Sequence, residues 1–183
     1  MRVFKENYNN INILTIRDID IDNDSIAEEL KYIIKKLTKG NEYYFEFFKE
    51  NYFLEDEEVQ RYRIEVPEFI KQNGLYSLKK QRGEEHLESI GLIKVTDKIF
   101  DQIIKMWKFF EGLLFYNPTN TLNWQKFERT YYSIKPELYG IGIIEKNYAN
   151  SVFIKGHDGD NLIFSYGSSF DHSLVNDVVK SCN

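Results

Sequence analysis

The chain has 183 residues and a formal net charge of −5. This length fits one domain with a sizeable core, so we expect residues 1–183 to form a single domain. No run of about eighteen apolar residues occurs, which argues against a membrane span. The single cysteine, Cys182, excludes an internal disulfide and predicts a reducing, cytoplasmic location.

The N-terminal part of the chain predicts one or two strands, because isoleucines alternate with polar residues over positions 11–13 and 19–21. Five carboxylates, which begin among these isoleucines, have the ligand spacing of an EF-hand calcium loop: Asp18, Asp20, Asp22, Asp24 and Glu29. Asn23 stands at the glycine position of such a loop, and a predicted strand precedes it where an EF-hand has a helix. We therefore favour a solvated strand face, and we predict no tight calcium binding.

A first amphipathic helix is predicted from residue 25 to residue 38. Ser25 and Glu28 have the spacing of a capping box, and Gly40 is a natural terminator. The apolar positions recur at helical spacing: Ile26, Leu30, Ile33, Ile34 and Leu37.

Residues 42–66 are interpreted as a strand, an acidic loop and a second strand. The first strand is rich in aromatic residues over 42–48. In the second, Tyr62, Ile64 and Val66 alternate with charged residues, and Pro67 ends the pattern.

The longest helix signal covers 96–117 and predicts the organiser of the core. Eight apolar residues recur there at three- and four-residue steps: Ile99, Phe100, Ile103, Met106, Trp107, Phe110, Leu113 and Leu114. Thr96 can cap this helix. We also predict a short helix over 84–90, a short strand over 92–95 and another helix over 120–132.

The C-terminal third predicts a three-stranded meander over 139–145, 151–156 and 161–166, followed by a closing helix over 171–180. An Asp-Gly pair between the last two strands is a strong hairpin signal. The expected fold is α+β, with an antiparallel sheet made of this meander and the N-terminal strands, packed by amphipathic helices.

Catalytic and metal-binding signals are weak. His157, Asp158 and Asp160 could bind a metal or act as an acid–base group, but they stand at a predicted hairpin tip, where such residues serve the turn. His86 lies among glutamates without a second histidine at ligand spacing, and His172 is far along the chain from His157. We expect no enzyme activity, no cofactor and no resident metal.

The negative charge is concentrated in residues 42–68, which carry nine acidic and three basic side chains. An acidic segment disfavours direct contact with nucleic acid or an anionic membrane and favours a basic protein partner. Aromatic anchors surrounded by carboxylates are typical of binding surfaces. We predict the following partner-binding residues: Glu46, Glu50, Tyr52, Phe53, Glu55, Asp56, Glu57 and Glu58. The alternative is a solvated loop.

A small, acidic, aromatic-rich chain of this kind resembles the bacterial immunity proteins of polymorphic or contact-dependent toxin systems. The resemblance is to a class, over the whole chain, and assigns no individual residue. It implies steric and electrostatic blocking of a basic toxin domain, for example a nuclease. Two alternatives stay open: a phage anti-defence protein that occupies a nucleic-acid channel, and an enzyme whose site is assembled from distant residues.

Overall fold

A computed structural model describes residues 1–46, 56–73, 76–82, 86–107, 114–119, 140–156 and 160–182. In these residues one antiparallel sheet contains eight strands. The strands are β1 Arg2–Tyr8, β2 Ile11–Arg17, β3 Tyr44–Glu46, β4 Tyr76–Arg82, β5 His86–Lys94, β6 Leu114–Pro118, β7 Ala149–Lys155 and β8 Leu162–Tyr166. The helices are α1 Asp24–Thr38, α2 Asp56–Asn73, α3 Asp97–Lys105, α4 Ile141–Glu145 and α5 His172–Ser181. The α+β prediction is confirmed.

Across the sheet the strands follow the order β1-β2-β8-β7-β6-β3-β5-β4, and every neighbouring pair is antiparallel. The three-stranded meander exists, but its members are β6, β7 and β8. The predicted first member, 139–145, is wrong, because Ile141–Glu145 is the helix α4. A short apolar run such as Ile141, Ile143 and Ile144 suits either structure, and here Gly140, with φ of +73°, precedes a helical turn.

One core lies between the sheet and helices α1, α2, α3 and α5. Its centre is a run of aromatic rings, in which Phe153 stacks on Phe164 at 4.3 Å between centroids and meets Phe115 edge to face at 6.0 Å. Phe45 and Phe100 extend the run through Phe115. Helix α4 belongs to a second, smaller cluster with residues of β2 and β8.

Helix α1 confirms its prediction, apart from its cap. Leu30, Ile33, Ile34 and Leu37 are buried, as their spacing predicts. The N-cap is Asn23, whose side chain accepts hydrogen bonds from the backbone N–H groups of the next turn, so the predicted capping box at position 25 is two residues late. The β7–β8 hairpin and helix α5 are also confirmed, although the hairpin tip 157–159 lies outside the described residues.

The predicted core helix over 96–117 is right only in its first half. Thr96 caps α3 as expected, but the helix ends at Lys105, and Leu114–Pro118 forms strand β6. Trp107 is 1% exposed, so its assignment to the core is right although it lies beyond the helix. The buried ammonium of Lys155 donates a hydrogen bond to the backbone carbonyl of Trp107 at 2.6 Å. This bond gives the buried cation a polar partner inside the core.

Two further predictions are wrong. The described part of the predicted helix over 84–90 is a strand, because His86–Lys94 forms β5 between β3 and β4. Residues 59–66 are not a strand, because they belong to α2, and Pro67 lies inside this helix. The predicted helix over 120–132 lies outside the described residues.

Candidate partner-binding surface on helix α2

The acidic segment is divided between a sheet strand and a helix. Glu46 ends β3, which lies between β5 and β6, so its backbone is in the interior of the sheet. Asp56, Glu57 and Glu58 form the first turn of α2 and are not part of a loop. The other predicted binding residues, Glu50, Tyr52, Phe53 and Glu55, lie outside the described residues.

The first turn of α2 suits its carboxylates for a local reason. Backbone N–H groups at the start of a helix carry partial positive charge, and acidic side chains there stabilise the helix. Glu57 is exposed and Glu58 is half-buried. This turn therefore presents negative charge to solvent while it contributes to helix stability.

The C-terminal half of α2 anchors the helix to the core. Val66, Phe69 and Ile70 are at most 5% exposed, and they recur at the spacing that places them on one side of a helix. This side packs against β5 and the adjoining core. Burial on this side fixes which residues must face solvent.

Ile64 lies on the opposite side of α2 and is 66% exposed, the largest value among the exposed large apolar side chains of the described residues. Glu57 and Glu68 flank it at helical spacing. Arg61 lies one turn before Ile64 and pairs with Glu65, with Nε to Oε1 at 3.1 Å. We call Glu57, Arg61, Ile64 and Glu68, all exposed, the α2 outer face.

Sequence reasoning missed Ile64 as a candidate because it placed this residue on the buried face of a strand. A helical signal was present: Val59, Tyr62, Val66 and Phe69 recur at steps of three and four. The alternation over 62–66 is equally visible, and the rule that proline ends a pattern favoured the shorter element. If the helical spacing is continued through Pro67, it predicts that Ile64 lies on the solvent-exposed side of the helix.

Two of the carboxylates at the calcium-like spacing, Asp18 and Asp20, make separate contacts. The guanidinium of Arg2 pairs with Asp18, with Nη2 to Oδ1 at 2.9 Å, and this pairing lowers the pKa of Asp18. Asp20 accepts a hydrogen bond from the backbone N–H of Asp22 at 3.2 Å. The preceding element is strand β2, unlike the helix of an EF-hand. Within the described ranges, no three His, Cys, Asp or Glu side chains are grouped to hold a metal ion.

Two of the three histidines lie within the described residues, and they begin different elements. His86 begins β5, and His172 begins α5 with its ring 5.4 Å from that of Tyr166. His157 and Asp158 lie outside the described residues. Asp160 is exposed and accepts a hydrogen bond from the amide of Asn161 at 2.9 Å.

No protein family, no curated protein and no solved structure matches this chain. Of the helices in the described segments, none has the length and apolar character needed to cross a membrane.

Proposed function

We propose that this chain is a cytoplasmic binding protein that neutralises a basic protein domain, as the immunity proteins it resembles neutralise toxins. The observation that supports the proposal is the 66% exposure of Ile64 on a helix that begins with three acidic residues. Interfaces surround an apolar centre with a polar and charged rim, and Ile64 has such surroundings on the α2 outer face.

The charge of the segment supports a basic partner. Residues 42–68 carry a net charge of −6, so the remainder of the chain is slightly positive. Such an asymmetry accelerates encounter with a positively charged surface, and it repels nucleic acid. A toxin domain that acts on nucleic acid has the basic surface that would be attracted.

The two parts of the surface have different kinetic roles. The carboxylates at the start of α2 accelerate association, whereas Ile64, together with the predicted anchors Tyr52 and Phe53, slows dissociation. Because α2 is fixed to the core through Val66, Phe69 and Ile70, its outer face needs little ordering on binding.

A kinetic binding assay against the product of the neighbouring gene tests the charge component. The variant carries Asp56→Asn, Glu57→Gln and Glu58→Gln, and the matched control removes three exposed charges elsewhere in the chain through Asp20→Asn, Asp22→Asn and Asp24→Asn. Circular dichroism first establishes that both variants are folded.

We expect the α2 variant to associate about tenfold more slowly than the control at low salt. The difference should shrink at about 1 M salt, where the Debye length is about 3 Å. Equal association rates for the two variants would contradict a steering role for α2. A wild-type chain that does not bind the neighbouring product would contradict the proposed function itself.

A further inference from the structure

Strand β1 offers a second interaction surface, at the end of the sheet away from α2. It comes first in the strand order and pairs with β2 alone among the described strands, whereas α2 packs on β5 near the other end. Six of the seven β1 residues are exposed, and among them Phe4 is 40% and Tyr8 48% exposed. A long exposed edge strand is a template for pairing with another strand.

The two faces of β1 differ. Val3 packs against the core, and the ammonium of Lys5 donates to Oδ1 of Asn176 on α5 at 2.7 Å, so both point to the helix side. Phe4 and Glu6 alternate with them and point to the other side. A lysine on an edge strand commonly discourages pairing with another strand. The side chain of Lys5 instead lies over α5, where it does not block the edge of β1.

The charges of β1 select one way of pairing with a second copy. Two copies related by a two-fold axis pair β1 antiparallel, and directly opposite residues share one face of the sheet. Three such registers pair at least five strand residues, with Phe4, Lys5 or Glu6 on the axis. An axis at Lys5 or at Glu6 sets like charges directly opposite, which is destabilising. An axis at Phe4 sets Arg2 opposite Glu6 twice and Val3 opposite Lys5.

We propose that two copies of this chain associate through β1, antiparallel, with the two-fold axis at Phe4. The two Phe4 rings then face each other between two pairs of opposite charge. The guanidinium of Arg2 already binds Asp18, and its five N–H donors leave it able to bind Glu6 of the second copy as well. The two sheets join into one continuous sheet, and the α2 outer faces lie at its far ends.

Cysteine cross-linking tests the register. Phe4→Cys, Lys5→Cys and Glu6→Cys are each made in a Cys182→Ser background, which removes the only native thiol. Directly opposite Cα atoms lie about 4.5–5.5 Å apart, within disulfide reach. In the proposed dimer the two residues 5, and the two residues 6, are separated by about 8 Å or more. We expect mild oxidation to cross-link Phe4→Cys and to leave the other two largely monomeric.

Sedimentation equilibrium tests the charge pairing in the otherwise native chain. We expect a reversible dimer whose dissociation constant rises about tenfold or more in Glu6→Lys, because two opposite-charge pairs become like-charge pairs. Glu68→Lys makes the same charge change on α2 and should leave the constant unchanged. A wild-type chain that is monomeric throughout, equal constants for the two variants, or cross-linking strongest at position 5 or 6 would each overturn the proposal.

Discussion

Helices α1 and α2 differ in how much of their apolar surface the fold uses. In α1, four apolar residues are fully buried, and lysines bridge to its neighbours on both sides: Lys31 to Asp101 of α3 at 2.8 Å, and Lys36 to Asp177 of α5 at 3.1 Å. Among the described side chains of α2, Val66, Phe69 and Ile70 are buried, and Ile64 is exposed to solvent. Helix α1 therefore contributes to the fold through both its apolar and its charged sides, whereas α2 combines a buried side with an outer face that is exposed to solvent.

The anchored half of α2 should behave as core. Phe69 is 5% exposed, and Phe69→Ala removes its ring from the packing between α2 and the sheet. We expect a loss of about 3–5 kcal/mol in the free energy of unfolding, measured by urea denaturation. A loss below about 1 kcal/mol would show that α2 is loosely attached, and the contrast with α1 would then be one of attachment and not of function.

Two isoleucines allow a matched comparison of the helices. Ile33 on α1 is 0% exposed and Ile64 on α2 is 66% exposed. Ile33→Ala should cost about 2–5 kcal/mol because it opens a cavity. Ile64→Ala should change stability by no more than about 0.5 kcal/mol, because its side chain is already in water. Similar losses in the same denaturation assay would contradict the assignment of Ile64 to an outer face.

The charged face of α1 gives a smaller, pH-dependent effect. The ammonium of Lys31, 2.8 Å from Oδ1 of Asp101, is the main cause that lowers the pKa of Asp101 below its ordinary value of 3.8. A carboxyl group whose pKa is lowered by folding contributes stability above its unfolded pKa, and this contribution is lost as pH falls through the folded pKa.

Asp101→Asn should therefore be less stable than the wild type near neutral pH, and the difference should vanish in strongly acidic solution. Thermal unfolding across pH measures it, and Glu68→Gln on the α2 outer face is the control, with little expected effect. If the stability difference between Asp101→Asn and the wild type does not depend on pH, the ion pair with Lys31 is not its cause.

The elements that could be predicted from sequence are those whose pattern has one interpretation. In α1 and α5, apolar residues recur at helical spacing between a polar cap and a terminator, and β7 and β8 flank an Asp-Gly turn. Strand β1 was not predicted, because its edge position leaves most of it exposed and its sequence mostly polar. The polar sequence of β1 follows from its place at the edge of the sheet. That place depends on the whole fold and cannot be read from the local sequence.

The candidate surface could be predicted only in part. The concentration of acidic residues was visible in the sequence, and it includes Glu57 of the α2 outer face. The exposure of Ile64, the anchor that we propose, was not visible, because Tyr62, Ile64 and Val66 fit a strand as well as a helix. Residues 56–73 form a helix although Pro67 removes one backbone hydrogen-bond donor from it. The packing of Phe69 and Ile70 on the core stabilises this helix. Tertiary packing thus turned Ile64 from a predicted core residue into an exposed one.

Dissociation from the neighbouring gene product, compared for Ile64→Ala and Tyr32→Ala, tests most directly whether α2 binds a partner. Tyr32 is 52% exposed on α1, so both variants truncate an exposed apolar side chain on a helix. We expect Ile64→Ala to dissociate about thirtyfold faster, as for a hot spot of about 2 kcal/mol. Tyr32→Ala should dissociate like the wild type. Unchanged dissociation of Ile64→Ala, or an effect confined to Tyr32→Ala, would contradict binding through the α2 outer face.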